Sequence, residues 1–467
     1  MKEMQQRYLI LGLGASGLSA ARFLARNNAA VRIADTRAKP PNIDVVYKEF
    51  SEKDINLGEF ENTLLEGVDQ VVISPGLSYE QPLIDEALQR KIPVVGDIEI
   101  FCQHASAPII AVTGSNAKST VVTLLAQMIE GAGFRVGLGG NIGTPALDLL
   151  NINDEEPDFY VLELSSFQLE STYSLKAKVA SILNISSDHM DRYQGLDEYT
   201  QTKQRIYQNC EWALYHRDDQ RTMPLALQSQ TSMTFGLSLP EKNTNVSKSE
   251  YSLLTEKGRT YLVEGHRAIV ATDELKVMGS HNHLNCLAAL AMGSYIGLDE
   301  PSMVETLRNF SGLEHRCEWA AMINGVSWIN DSKGTNVGST LAAIKGFGEP
   351  LKGEVVLLLG GLSKGADFSP LISAINSYVK LIIVFGEDAE SIVADLSVSE
   401  CNIQRCGNLD EVISQAQKNA LEGDLVLFSP ACASFDMFDD FEKRGEVFKL
   451  KLQELQTELN SMQVGSP

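Results

Sequence analysis

Ile109-Ile110-Ala111-Val112-Thr113-Gly114-Ser115-Asn116-Ala117-Lys118-Ser119-Thr120 passes from an apolar strand pattern, through a short polar turn, into a helical pattern that continues from Val121 to Ile129. A strand, a glycine-bearing turn and a helix in that order cradle phosphate. The backbone N–H groups of residues 114–118 face an anion at the positive end of the helix. In such a loop Lys118 reaches the β- and γ-phosphates and the Ser119 hydroxyl is a ligand for Mg2+. The loop is shorter than Gly-x-x-x-x-Gly-Lys-Ser/Thr and carries Ala117 where glycine precedes the lysine. A methyl group there crowds the phosphates, or strains the backbone if φ is positive. Residues 114–120 read as an ATP site, with an accidental strand-to-helix turn as the plainer alternative.

The same alternation extends in both directions. Residues 8–11 are a short apolar strand, followed by Gly12-Leu13-Gly14-Ala15-Ser16-Gly17 and a helical run, and residues 31–34 are a second strand ending on Asp35-Thr36-Arg37. Gly-x-Gly-x-x-Gly with an acidic residue about 20 positions on is the dinucleotide fingerprint; glycines that merely allow a helix to pack closely on a strand are the alternative. Short strands at 71–74, before Pro75-Gly76, and at 94–95 complete a compact unit over residues 1–96. A second unit, 97–312, has strands at 109–113, 159–163 and 179–183; within it, residues 216–275 read as a small β excursion without a chemical motif. A third unit, 313–467, has strands at 355–359, 381–385 and 425–428 and ends in a mostly polar helix that fades out after Leu450. The expected fold is α/β in three domains: a Rossmann-like N-terminal domain, a central P-loop ATPase-like domain and a Rossmann-like C-terminal domain. Ligands of such sheets gather at the carboxyl ends of strands.

The 467 residues carry a net charge of −22, which argues against a general binder of nucleic acid or of anionic membrane. Anionic substrates then need Lys and Arg gathered locally. The seven cysteines are scattered without a Cys-x-x-Cys pair, which fits reduced thiols in a cytosolic enzyme. Residues 1–7 are polar and lead into a strand, so no signal peptide is expected, and no segment approaches the roughly 20 apolar residues of a membrane span.

Polar clusters follow the strands. Glu163 ends the strand at 159–163, where a carboxylate holds Mg2+ beside a P-loop serine, or is simply an exposed end charge. His189 lies in Asp188-His189-Met190-Asp191-Arg192-Tyr193, as a metal ligand, a proton carrier or a surface imidazole in a capping turn. Lys203 reads as an ordinary solvated helix lysine. His281-Asn282-His283-Leu284-Asn285 opens a helix; paired histidines are a weak zinc signal, and the asparagines cap the helix or meet an adenine edge. Arg316 and Asn330-Asp331-Ser332-Lys333-Gly334-Thr335-Asn336 flank a strand at 326–329, as a surface ion-pair network or as cations for a γ-phosphate and an acyl phosphate. Gly360-Gly361-Leu362-Ser363-Lys364 and Ser429-Pro430-Ala431-Cys432-Ala433-Ser434-Phe435 suit capture of a small carboxylate, with Cys432 a buried apolar residue.

In order, from Gly12 to Phe441, these segments resemble the Mur ligase family. The most specific pieces are residues 162–169 (Leu-Glu-Leu-Ser-Ser-Phe-Gln-Leu), 188–193, 330–333 and 429–434. The resemblance implies ATP-dependent amide-bond formation in cytoplasmic peptidoglycan precursor synthesis, in which D-glutamate is added to UDP-N-acetylmuramoyl-L-alanine through an acyl phosphate by a monomer. It implies that Ala15, Ser16, Asp35, Thr36, Arg37 and Gly76 surround the UDP moiety, and that Asn141 and His189 meet the muramoyl substrate or a second metal. Gly114 to Thr120, Asn282, Asn285, Arg316, Asp331 and Lys333 match ATP-facing positions, and Thr335, Lys364, Ser434, Phe435 and Phe441 match D-glutamate positions. Lys203 matches a carbamylated lysine that, with Ser119, Glu163 and His189, holds two Mg2+; Lys118, His189, Lys203, Arg316 and Lys333 match catalytic positions. Lys364 lacks the preceding Asp of many relatives, since Ser363 stands there. Alternatives are a sister Mur or folylpolyglutamate-type ligase for another amino acid, an NAD-dependent oxidoreductase using the N-terminal glycine loop, and a weakly catalytic nucleotide-binding regulator.

Overall fold

The computed structural model describes residues 5–151, 156–190, 192–225, 231–239 and 250–464. Three sheets follow one another along the chain. The first has five parallel strands in the order Ile55–Leu57, Ala30–Asp35, Arg7–Leu11, Gln70–Ile73 and Val94–Val95. The chain reverses its direction of sheet growth between Arg7–Leu11 and Gln70–Ile73, so the turns after those two strands face one crevice. Gly17 allows the first turn to close. A Cβ added there would lie 1.9 Å from the Gly12 carbonyl oxygen and 2.7 Å from Ser74 Oγ, which itself donates to that carbonyl at 2.8 Å.

The second sheet has nine strands, and Ile109–Thr113 lies between Phe159–Glu163 and Ala177–Ile182 in parallel. Trp212–His216 and Thr231–Phe235 continue that parallel order outward. Glu250–Glu256, Arg259–Glu264 and Arg267–Ala271 then close the edge, the last two pairings antiparallel. The stretch 216–275 is β-rich, as its pattern suggests, and its described strands extend the second sheet. Their short, alternating pattern reflects the outer end of the sheet, where one face meets water.

The third sheet runs Glu318–Ile323, Val326–Asn330, Leu425–Phe428, Val355–Gly360, Val379–Phe385 and Asn402–Arg405, parallel except for its first pair. The last helix, Phe441–Val464, does not fade out as a polar tail. Phe448 and Leu452 are buried, and Leu455 and Leu459 pack on the same cluster. Their spacing of four, three and four is an apolar stripe that many intervening charges obscured.

The cores are distributed unevenly. One apolar cluster joins the first unit to the second, with Ile10, Phe23 and Val72 packed in common with Phe101, Tyr160 and Leu162. The clusters of the third unit contain no residue before Cys317. The first two units are thus welded by a shared apolar cluster, while the third is seated by polar groups and a small contact of the His281 ring with Gly346 and Phe347.

Because the atom facing Gly17 is a backbone oxygen, Gly17→Ala cannot be relieved by a rotamer change. It should destabilise the protein by about 2 kcal/mol, read as a lowered midpoint in denaturant unfolding.

Candidate active site

The parallel strands of the second sheet bring their carboxyl ends to one edge, and the phosphate-loop residues sit there. Ser115 N–H donates to the Asn184 carbonyl at 2.9 Å, and Asn116 N–H donates to Asn184 Oδ1 at 2.8 Å. Ala117 has φ +67°, the left-handed conformation in which a methyl group costs about 1 kcal/mol. The condition for backbone strain at this position is met. Lys118 starts the helix Lys118–Gly131, and its Nζ folds back to donate to the carbonyls of Gly114 (2.9 Å) and Ser115 (3.1 Å). Arg316, from the third unit, crosses to donate from Nη2 to Ser119 Oγ at 2.9 Å.

Lys203 is a correction to the reading from composition. It is only 1% exposed, and its Nζ donates to Thr113 Oγ1 (3.2 Å) and the Gly114 carbonyl (2.9 Å). The helix Leu196–Gln204 presents this one lysine inward; a polar helix of this kind shows no periodicity that would distinguish it. Burial, then the nearby Lys118 charge, hold the Lys203 amine well below lysine's ordinary pKa. Burial likewise lowers Lys118 and Arg316, and brings Lys333 down to about 8.

Glu163 is 2% exposed. Its Oε1 accepts from Asn141 Nδ2 at 2.8 Å, while Oε2 is buried without a hydrogen-bond partner among the described residues. An orphaned carboxylate oxygen beside a P-loop serine fits a hard cation. Among the described residues no group of three or more His, Cys, Asp or Glu side chains forms a metal cage. An ion there would take its remaining ligands from phosphate and water, the habit of Mg2+ rather than of zinc. The His281 and His283 pair accordingly belongs to no zinc site among those residues.

His189, at φ +57°, packs edge-on against Phe167 with ring centroids 4.9 Å apart, and its Nε2 lies 3.7 Å from Asp188 Oδ2. Arg192 donates to the carbonyls of Pro75 and Leu77 and to Glu170, so this motif docks on the turn that carries Gly76. Asp191 lies outside the described residues. In the first unit Asp35 accepts from Leu13 N–H (2.7 Å) and from the Arg37 guanidinium, which fixes the glycine turn against the Asp35-Thr36-Arg37 turn. Ala15, Thr36 and Gly76 are exposed and Ser16 is half-buried along that crevice.

A cavity of about 240 Å3 opens between the second and third units, with Asn282 and Asn285 on one wall and Arg316, Asp331 and Lys333 on another. His216 and Phe235 also line it. They were missed because their stretch carries no motif, yet each ends a parallel strand of the nucleotide sheet. Strand polarity was the signal that could have found them. Asp331 is buried and accepts from Ser429 Oγ at 2.6 Å; burial raises it to about 6.

Lys333 Nζ lies 3.4 Å from the Phe441 ring centroid. Leu362 and Ala433 exchange two backbone hydrogen bonds, which brings the turn of exposed Lys364 to buried Ser434 and to Phe435, 66% exposed. Thr335 is half-buried after Lys333, its N–H bonded to the Lys333 carbonyl. Arg444 was also missed. Fully buried, it donates to the Ser332 hydroxyl and to the carbonyls of Ser332 and Cys432, tying the loops together; burial lowers it to about 10.

These parts define a three-domain α/β protein in which the glycine-bearing loop of the second sheet faces the 330–336 turn of the third. Residues 6–96 match the profile of the Mur ligase MurD-like N-terminal domain, 112–293 the Mur ligase middle domain and 315–432 the Mur ligase glutamate ligase domain. The chain belongs to the Mur ligase family, whose members are ATP-dependent and form amide bonds. It is 46% identical to the UDP-N-acetylmuramoylalanine--D-glutamate ligase of Nitrosococcus oceani, with 96% of each chain covered. It is 45% identical to the protein of the same name from Acinetobacter baylyi, with 94% of this chain and 96% of that one covered. Among solved structures, the MurF ligase of Thermotoga maritima in complex with ADP shares the fold at a TM-score of 0.60 and 17% identity, covering 97% of this chain and 96% of that one. The MurC ligase of the same organism does so at 0.58 and 19%, with 96% and 100% covered.

His281 provides a test of the cavity's polarity. Its ring lies against Gly279 and Gly346, where a Cβ would come within 2.8 and 2.3 Å of it, and neither ring nitrogen has a partner among the described residues. Burial, with the nearby His283, lowers its pKa to about 4. Between pH 6.5 and about 4 the unfolded chain binds a proton that the folded one refuses, so this contribution to stability is present above 6.5 and lost as pH falls. Melting temperature against pH should drop less steeply across that window for His281→Leu than for the native chain.

Proposed function

We propose that this enzyme adds D-glutamate to UDP-N-acetylmuramoyl-L-alanine at the expense of ATP, in the cytoplasm, as a single chain. The supporting observation is the convergence, from two units, of the desolvated Lys118 and Arg316 on the buried Glu163, whose Oε2 has no hydrogen-bond partner among the described residues. A nucleotide's phosphates would pair with the two cations, and a hard cation with that oxygen. Near-full-length similarity to proteins named for D-glutamate addition supports the choice of amino acid. Free cysteines and the lack of a helix long and apolar enough to cross a membrane, among the described residues, are in keeping with a cytoplasmic location.

The crevice around Ala15, Ser16, Asp35, Thr36, Arg37 and Gly76 would hold the UDP moiety, with Asn141 and His189 toward the muramoyl-L-alanine end. That carboxylate would attack the γ-phosphorus of ATP held on Gly114 to Thr120, with its base near Asn282 and Asn285. Lys118 and Arg316 neutralise charge on the transferred phosphoryl group. Ser119 and Glu163 would hold one Mg2+, and His189 with carbamylated Lys203 a second; bound there, the ions spread the phosphate charge and align its oxygens. A buried neutral amine is the form of lysine that adds to CO2, which supports carbamylation of Lys203. Lys364, Thr335, Ser434, Phe435 and Phe441 would hold D-glutamate, whose amine attacks the acyl carbon; the amide forms as phosphate leaves. Asp331 and Lys333 orient the nucleotide and the acyl phosphate.

Phosphate release measured with ATP, Mg2+ and UDP-N-acetylmuramoyl-L-alanine should require D-glutamate and should fail with L-glutamate, L-lysine or L-alanine. Turnover with another of these amino acids would assign a sister reaction. Ala117→Gly removes the left-handed strain and the methyl beside the phosphates, so KM for ATP should fall by roughly five-fold; an unchanged or higher KM would show that the native loop carries no such cost.

A further inference from the structure

We infer that Asn116 and Asn336 are positioning residues that latch the third unit onto the phosphate loop, so that the activated carboxylate meets the amine before it meets water. The inference rests on the ligase reading above and deepens it.

The two side-chain amides face each other across the seam between units. Asn336 Nδ2 donates to Asn116 Oδ1 at 3.1 Å, and Asn116 Nδ2 donates to Asn336 Oδ1 at 3.4 Å. Both ends are held. Asn116 shares two further bonds with Asn184, N–H to Oδ1 at 2.8 Å and carbonyl to Nδ2 at 3.2 Å. Asn336 caps the helix Val337–Gly348, its Oδ1 accepting from Ser339 N–H at 2.9 Å. Its Nδ2 also lies 3.4 Å from Asp188 Oδ2, beside the His189 motif. One amide thus touches the loop two residues before Lys118 and the motif that docks on the first unit.

The backbone makes room for this seat. A Cβ on Gly338 would lie 2.5 Å from Ser186 Oγ and 3.4 Å from Asn116 Nδ2. Gly338 is helical and its φ is not positive, so the close approach, and no backbone requirement, calls for glycine there. The apolar clusters of the third unit contain no residue before Cys317, and among the described residues its packing on the second unit is confined to a small contact in which the His281 ring lies against Gly346 and Phe347. A seat made of hydrogen bonds that exchange with water is marginal and reversible. Such a seat suits a unit that must admit substrates and then exclude solvent.

With the seat open, water attacks the acyl carbon of the acyl phosphate. The bond from that carbon to the bridging oxygen breaks, the carboxylate is regenerated and phosphate leaves. One ATP becomes ADP and phosphate with no amide formed. The ratio of phosphate released to amide formed therefore reports the latch, and a merely structural role would not move it.

The test uses the full chain with ATP, Mg2+, UDP-N-acetylmuramoyl-L-alanine and D-glutamate, and measures phosphate and amide in the same reaction. Asn336→Ser keeps an oxygen for the Ser339 N–H but is too short to reach Asn116. It should raise the phosphate-to-amide ratio roughly five-fold while leaving KM for ATP within about two-fold. Gly338→Ala, which favours its helix, should do the same without lowering the melting temperature. Adding Ser186→Gly to it should restore the native ratio. Combining Asn116→Ala with Asn336→Ser should cost less than the product of the single effects, as groups in contact do. Native ratios in both Asn336→Ser and Gly338→Ala, or fully multiplicative losses, would overturn the latch while leaving the ligase reading intact. A native chain that forms no amide with any of the amino acids would overturn that reading, and the latch with it.

Discussion

Ionisable groups held out of water around one buried carboxylate are the constraint around which this molecule is arranged. Lys118, Lys203 and Arg316 are all depressed by desolvation, and Glu163 faces all three. A charge held out of water is costly unless an opposite charge joins it. In the structure, backbone carbonyls of residues 114 and 115 occupy the two lysines, and the Ser119 hydroxyl occupies Arg316. These are the weaker partners that a phosphate chain displaces.

Sheet polarity puts the groups there. In the second sheet, the parallel strands through Ile109–Thr113 deliver the phosphate loop, Glu163, Asn184, His216 and Phe235 to a common edge. In the third, the ends of Val326–Asn330, Val355–Gly360 and Leu425–Phe428 deliver the 330–336 turn, the Lys364 turn and the Ser434 turn. The two edges face each other. A shared apolar cluster fixes the first two units to each other, while the third shares no such cluster with them and is seated mainly by polar contacts.

Much of this was legible along the chain. Strands 109–113, 159–163 and 425–428 lie where apolar runs ending in glycine, glutamate or Ser-Pro placed them, because a strand buried on both faces is a continuous apolar run. The outer strands of the second sheet were less legible, since half-wet edge strands share their composition with loops. Lys203 and Arg444 were illegible by composition: each is a basic side chain turned inward from a polar helix, Lys203 from one without apolar periodicity and Arg444 four residues before Phe448, in line with a stripe that charges obscured. The stripe from Phe448 to Leu459 was hidden in the same way among charges.

Local sequence alone determined the elements and the chemistry they carry. Gly114 to Thr120 and Gly12 to Gly17 each mark a turn between a strand and a helix, but Asn184 holds the first through the Ser115 and Asn116 N–H groups, and Asp35 and Ser74 hold the second. Tertiary structure decided what depends on groups far apart in the chain: that Arg316 reaches Ser119, that Asn336 meets Asn116, that Lys203 is buried, and that His216 faces the cavity. Those facts follow from strand order and from the docking of one sheet against another, which no single segment encodes.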